Sequence, residues 1–335
     1  MAAFASLGAL RLAGFATANT YSNFSIPIEI SSRQGVFPNQ GRNYFAKILE
    51  GYATVQGQYE ISAKYCQPDD GNASTIQIFY WDLAYNNYNY SYVKVANAAG
   101  YSTLAIYRLV IGNSSHGEPI NKIQAQLKVE ALNAVTTLLR AGKIPEIKKR
   151  YGKIIHVGHS FGSIQSYWLS ALYRNNTDGL TVPAWNLHSA RLNQPLFFAD
   201  APNSKLRAVF SGWFKNSSLI QAHQTLLKVS HCDLTANQLV FLRYGAYDIG
   251  LGVITEQTEQ PVTIGKLLTT GGAPAEDSFG GPVIIFTGEF DEAFCGLDCY
   301  ATGGSNTGHR INVHYNSTAG NEYVQRWLAA NGPGA

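Results

Sequence analysis

The chain has 335 residues, of which 45% are hydrophobic, and a formal net charge of only +3. This is ample apolar material for a large core. This low net charge argues against a nucleic-acid-binding protein. The one dense basic run, 148–150, lies at the end of a helical stretch, where cations are favoured and exposed to solvent. Cys295 and Cys299 stand four apart with no second cysteine pair, so we expect no zinc site.

The first 18 residues resemble a signal peptide. They contain no acidic residue, are rich in Ala, Leu and Phe, and end in Ala16-Thr17-Ala18, with small residues placed as a signal peptidase requires. Arg11 interrupts the apolar stretch, which is also too short to span a bilayer. The sequence therefore predicts a secreted, extracellular protein without a membrane span.

Potential glycosylation sites also favour export. Seven Asn-x-Ser/Thr sequons occur along the chain and together predict a glycoprotein. They begin at Asn23, Asn72, Asn89, Asn113, Asn175, Asn216 and Asn316. Disulfides are the expected state of cysteines outside the cytosol. The four cysteines, Cys66, Cys232, Cys295 and Cys299, allow three full pairings, and the sequence does not choose among them.

Strand-like and helix-like segments alternate along the chain, which is typical of a mostly parallel sheet covered by helices. The most regular helix is predicted over 123–139, where apolar residues recur at three- and four-residue steps between Pro119 and Gly142. The predicted strands are 59–65, 75–79, 102–109, 153–157 and 283–287.

Residues 183–280 interrupt this alternation, and they predict a cap inserted over the carboxyl edge of the sheet, with a loosely helical stretch at 218–229. The predicted organisation is thus a signal peptide (1–18), a first core part (19–182), the cap (183–280) and a closing core part (281–335). The alternative is that 183–280 is an ordinary part of the core with poorly marked strands.

A candidate nucleophile follows the strand at 153–157. The run Gly158-His159-Ser160-Phe161-Gly162 lies between that strand and a helix-compatible run. A strand that turns abruptly into a helix strains the backbone of the middle residue and exposes its hydroxyl. The N–H of Phe161 could then stabilise a developing oxyanion. The alternative is a plain strand–turn–helix with glycines at its corners.

A serine hydroxyl needs a base, and the base needs an orienting carboxylate. Asp291 follows the strand at 283–287 and is the predicted acid; Glu289 and Asp298 are the alternatives. His309 is the predicted base because Gly308 before it permits a close approach, and His314 is the alternative. His159 lies on the wrong side of the turn, and His156 lies within a strand.

Several segments resemble a family of secreted fungal α/β-hydrolases related to serine esterases and lactonases. The resemblance covers most of the chain after about residue 23 and implies the α/β-hydrolase fold. It also implies a Ser160–His309–Asp291 mechanism acting on an ester-like bond, in the chain order of that fold. It rests on residues 85–92, 111–117, 158–162, 288–291 with Phe294-Cys295, and Gly308-His309.

The chain departs from the family in three places, as though internal segments were missing. The family's loop after the third strand begins His-Gly and supplies a second oxyanion donor, whereas here Phe79 is followed by Tyr80, which becomes the candidate donor. No apolar run marks a last strand within 292–308. Tyr107 and Val110 stand where the family usually has Asp and Gly.

The leading hypothesis is a secreted serine hydrolase acting on a small-molecule carboxylic ester or lactone, a reaction that needs no metal or organic cofactor. The aromatic cap and the tyrosines of 85–92 favour an apolar or aromatic substrate, although packing explains those tyrosines equally well. One alternative is a lyase, cyclase or isomerase of secondary metabolism. The other is a glycoprotein that only binds, either an impaired paralogue or an incomplete gene model. The sequence gives no indication of the oligomeric state.

Overall fold

The computed structural model describes residues 21–37, 49–80, 82–181, 226–228, 238, 241–258, 260–274, 277–291 and 305–335. The predicted signal peptide, most of the predicted cap, Asp298 and the cysteines at 232, 295 and 299 lie outside the described residues. So does most of the segment 292–308, where a last strand is expected.

Seven of the described strands form one mixed sheet in the order β1-β2-β4-β3-β5-β6-β9, and β7 pairs with β8 separately. β1 and β2 form a long antiparallel hairpin, and the neighbours β4-β3-β5-β6-β9 are all parallel. The mostly parallel sheet is confirmed. The strands are β1 (Tyr21–Val36), β2 (Gly51–Cys66), β3 (Thr75–Phe79), β4 (Ser102–Ile106), β5 (Lys153–Val157), β6 (Gly179–Thr181), β7 (Leu226–Lys228), β8 (Pro261–Thr263) and β9 (Val283–Ile284).

The predicted crossover helix is present as α2, which buries Leu127, Leu132 and Leu139. Just beyond its end, Gly142 has a φ of +65°, the left-handed conformation that glycine adopts readily after a helix. None of the described helices is both long and apolar enough to cross a bilayer. The helices are α1 (Tyr92–Ala98), α2 (Ala125–Arg140), α3 (Phe161–Leu172), α4 (Ile249–Gln257), α5 (Ile264–Thr269) and α6 (Ser317–Asn331), with short 3₁₀ turns at Arg174–Asn176, Thr270–Gly272 and Ile311–Val313.

Helices cover both faces of the sheet. One core cluster joins α2 and α3 to the sheet through residues such as Leu132, Trp168 and Ile78. The other joins α1 and α6 to it through Tyr92 and Leu328, among others. β3 and β4 are buried along their whole length, which explains their continuous apolar runs.

Several predicted boundaries are wrong. The strand predicted over 59–65 is only the end of β2. The one predicted over 102–109 ends at Ile106, because the chain turns there: the Ile111 N–H bonds to the Arg108 carbonyl, and Val110 has a φ of +67°. The strand predicted over 283–287 ends at Ile284. The end of the stretch predicted as helical, 226–228, pairs as β7 with β8.

Cys66 is a free thiol in the structure, so a disulfide at this position is not supported. Its side chain is 1% exposed, and Sγ lies 2.8 Å from Asn97 Oδ1, to which it donates a hydrogen bond. Burial raises the pKa of the Cys66 thiol to about 12, so the sulfur stays protonated and unreactive at neutral pH.

Candidate active site

Ser160 occupies a strained corner between β5 and α3. Its φ of 54° and ψ of −122° lie outside the regions that L residues normally adopt, at a cost of about 1–3 kcal/mol. Both flanking glycines are required by space. A Cβ at Gly158 would lie 2.3 Å from the carbonyl carbon of Gly162, and one at Gly162 would lie 2.7 Å from the ring of Tyr80.

Asp291 and His309 form a buried pair. The two carboxylate oxygens of Asp291 lie 3.0 and 2.9 Å from His309 Nδ1, and the side chains are 0% and 2% exposed. Thr287 Oγ1 donates a further hydrogen bond of 3.1 Å to the carboxylate. Because a carboxylate only accepts, Nδ1 carries the proton, so this pairing fixes the tautomer of the imidazole.

Two glycines allow the loops carrying this pair to touch. A Cβ on Gly288 would lie 2.4 Å from the carbonyl oxygens of both Thr307 and Gly308. A Cβ on Gly308 would lie 2.9 Å from the Phe241 carbonyl oxygen. The close approach expected at Gly308 is therefore present, and the Phe290 N–H bonds to the Thr307 carbonyl at 2.9 Å.

His159 connects the pair to the serine corner. Its Nε2 lies 2.8 Å from the His309 carbonyl oxygen, and the two imidazole rings are 5.2 Å apart. The carbonyl can only accept, so His159 Nε2 is the donor. Burial lowers the pKa of His159 to about 3, which keeps this imidazole neutral at pH 7. The loop of His309 thus lies against the residue that directly precedes Ser160, a contact the sequence did not indicate.

The alternative base and acid that the structure describes have structural partners. His314 is fully buried, and its Nε2 accepts the N–H groups of Arg243 and Gly308 at 2.9 and 3.0 Å. Its Nδ1 donates to the Arg310 carbonyl at 2.8 Å, so both nitrogens hold backbone near His309. Glu289 accepts the N–H of Asn306 at 2.8 Å.

Both predicted oxyanion residues lie at the corner. Phe161 is the first residue of α3, where N–H groups have no acceptor within the helix. Tyr80 directly follows β3, and its ring packs against Gly162. Burial raises the pKa of the Tyr80 phenol to about 12, so the phenol is neutral at pH 7.

Two cations that the sequence did not indicate surround the same turn. Lys266 Nζ lies 4.3 Å from the centre of the Phe161 ring. The guanidinium carbon of Arg108 lies 5.4 Å from that ring and 5.0 Å from the ring of Tyr80. The two cations come from distant segments with no motif between them, so only the fold reveals the cluster.

Neither a family model nor a curated protein matches the sequence. Among solved structures, the chain is similar to an α/β-hydrolase fold protein from Chitinophaga pinensis, with 12% identity, a TM-score of 0.50, and coverage of 81% of this chain and 94% of that one. An esterase from Exiguobacterium antarcticum has 11% identity, a TM-score of 0.50 and coverage of 81% and 95%. Est1E from Butyrivibrio proteoclasticus, solved with ferulic acid, has 14% identity, a TM-score of 0.48 and coverage of 82% and 96%. The two likenesses with a TM-score of 0.50 concern the fold alone, and the chain has the α/β-hydrolase fold.

Proposed function

We propose that this α/β-hydrolase-fold protein is a serine hydrolase that cleaves a carboxylic ester or a lactone, with Ser160 as nucleophile, His309 as base and Asp291 as the orienting acid. One observation supports it above the others. The Asp291–His309 pair is buried, and the His309 carbonyl accepts a hydrogen bond from His159, the residue before Ser160, whose backbone is strained at a positive φ. Such strain persists only where the surroundings enforce it, and it concentrates at reactive sites.

The proposed chemistry has two steps. Ser160 Oγ attacks the carbonyl carbon while His309 Nε2 takes its proton, and the proton then passes to the departing alcohol. Water hydrolyses the resulting acyl-enzyme with the same imidazole as base. Asp291 stabilises the imidazolium that forms in each step. The N–H groups of Phe161 and Tyr80 are the proposed donors to the tetrahedral oxyanion, and losing one such donor typically costs about 100- to 1000-fold in rate.

A fluorophosphonate probe tests the proposal. Wild-type protein should be labelled at one site, and Ser160→Ala should not be labelled. Ser74→Ala, which removes an exposed hydroxyl far along the chain, is the matched control and should label normally. A folded wild-type protein that fails to react would contradict the proposal and favour the binding glycoprotein. Labelling without turnover of aryl esters, aliphatic esters or lactones would favour the lyase, cyclase or isomerase.

We also propose that the protein is secreted and glycosylated. In support, the six sequon asparagines that the structure describes are all exposed: Asn23, Asn72, Asn89, Asn113, Asn175 and Asn316. A glycan needs an accessible acceptor, and all six asparagines meet that condition. Expression in a eukaryotic host should yield protein in the medium whose mass falls on treatment with an endoglycosidase. Unmodified protein retained inside the cell would contradict this.

A further inference from the structure

Three cationic side chains converge on the first turn of α3. Arg108 follows β4, Lys128 belongs to α2 and Lys266 belongs to α5. Arg108 and Lys266 both lie over the Phe161 ring, so their charges are within about one Debye length of each other. Lys128 is 2% exposed, and burial lowers the pKa of its ammonium well below the usual value. The nearby charges of Arg108 and Lys266 lower that pKa further.

Within the described part of the chain, these side chains have no acidic counterpart. Among the described residues, the ion pairs involve other side chains, and none of the three cations is paired with a carboxylate. Lys128 Nζ instead donates to the Leu109 carbonyl at 2.6 Å. Proteins rarely bury cations together without an anion, because desolvation and mutual repulsion both oppose it.

The surrounding aromatic rings do not neutralise this charge. A cation over an aromatic face gains about 0.5–2 kcal/mol, which offsets part of the desolvation but leaves the net charge unchanged. The Tyr80 phenol stays protonated at neutral pH because burial raises its pKa. Burial lowers the pKa of Lys266 to about 7, so Arg108 supplies most of the positive charge at neutral pH, and a bound carboxylate would favour the charged form of Lys266. Arg108 and Lys266 are only half-buried, so a ligand can reach them.

Arg108 lies next to the candidate active site. β4, β3 and β5 are adjacent parallel strands, and Arg108, Tyr80 and Ser160 follow their carboxyl ends, where α/β proteins bind ligands. A nitrogen of the Arg108 guanidinium lies 3.4 Å from the position a Cβ on Gly162 would occupy. Gly162 is two residues beyond Ser160.

We propose that Arg108 and Lys266 bind a carboxylate of the substrate, so that the preferred ester carries a carboxylate in its acid or its alcohol part. The inference rests on the proposed hydrolase function and goes beyond it by naming the substrate class. It replaces the expectation of an apolar or aromatic substrate with that of a charged one.

Matched ester pairs test the proposal. The first pair is 4-nitrophenyl hydrogen adipate and its methyl-capped form, in which the acyl carboxylate is neutral. The second is 4-acetoxybenzoate and its methyl ester, in which the charge lies on the leaving group. Wild-type kcat/KM should be higher for the charged member of one pair by at least about tenfold. The responding pair identifies which side of the scissile bond carries the charge, and equal rates within both pairs would overturn the proposal.

Charge-removing variants tie the preference to these residues. Arg108→Gln and Lys266→Met should each lower the charged-to-neutral selectivity ratio by about 10- to 100-fold. Arg326→Gln and Lys122→Met remove exposed cations elsewhere and are the matched controls, with unchanged ratios. An equal loss on both members of the pair would instead mean that the cations support folding or the oxyanion, and the proposal would be wrong.

A binding measurement tests the carboxylate site separately from the proposed hydrolase activity. In the Ser160→Ala background, adipate should bind by calorimetry and adipamide should not, and Arg108→Gln should weaken adipate binding by at least about tenfold. Adipate binding by a protein that hydrolyses no ester and reacts with no fluorophosphonate would support the carboxylate site and reject the hydrolase. Hydrolysis without any adipate binding would reject the carboxylate site alone.

Discussion

Ser160 carries the most strained backbone geometry of the candidate active site, and a substitution there can relieve it. Ser160→Gly should raise the free energy of unfolding by about 1 kcal/mol relative to Ser160→Ala, because glycine adopts positive φ without the Cβ penalty that alanine retains. Denaturant titration of the two variants measures the difference. Equal stabilities would mean that the corner stores no strain.

His159 is a positioning residue, since it bonds to the carbonyl of the candidate base and not to the nucleophile. His159→Phe keeps an aromatic ring but removes the donor to the His309 carbonyl, so the imidazole should lose its fixed position. We expect kcat to fall about tenfold or more with KM nearly unchanged, and His159→Gln to recover part of the loss by restoring a donor. Steady-state kinetics on one ester would test this, and an unchanged kcat would contradict it.

At the level of elements, the meeting of two loops decides whether acid and base can pair. Gly308→Ala would place a Cβ 2.9 Å from the Phe241 carbonyl oxygen and push the loop of His309 away. We expect a loss of about 1–3 kcal/mol in stability from overpacking and a large loss of ester turnover. Gly152→Ala, where nothing lies within 4 Å, is the control and should change stability by less than about 0.5 kcal/mol.

Helices and strands whose apolar residues recur at regular spacing were predictable from the sequence. Elements that depend on pairing with a distant segment were less so. α2 and the buried strands β3 and β5 follow from apolar spacing alone. Only the end of β2 was predicted, because its first half is exposed and lacks a buried face to mark it. β7 differs from the predicted helical stretch because its three residues form a strand only by pairing with the distant β8.

The candidate site shows the same division. Ser160, Asp291 and His309 carry local signatures, namely glycines at tight turns and carboxylates after strands. Arg108, Lys128 and Lys266 carry none, because a cation on a helix or after a strand is commonplace until the fold brings three together. The hydrogen bond from His159 to the His309 carbonyl also joins residues that are distant in the chain, so sequence order alone could not reveal it.

At the scale of the whole molecule, buried neutral histidines predict acid sensitivity. Burial lowers the pKa of His156 to about 3 and that of His314 to about 4, below the value near 6.5 in the unfolded chain. Between those values the unfolded chain binds more protons, so stability falls as the pH decreases from about 6.5 towards 4. Each of these two histidines should lower the free energy of unfolding by about 1–2 kcal/mol between pH 7 and pH 5.

Urea titrations at the two pH values measure that loss. His156→Gln and His314→Gln should each be less stable at pH 7 but should lose less stability on acidification, since one titrating group is gone. The other imidazole in each variant provides the internal comparison. A pH dependence identical to that of the wild type would show that the substituted histidine is not the titrating group.

The proposed carboxylate site at Arg108 and Lys266 also predicts how the rate would change as the reaction proceeds. Hydrolysis removes the ester but leaves the recognised carboxylate on one of the two products. In the proposed site, that product would still bind to Arg108 and Lys266. Its departure is then opposed by the same attraction that gathered the substrate, so turnover should slow as the charged product accumulates, and added salt should speed its release.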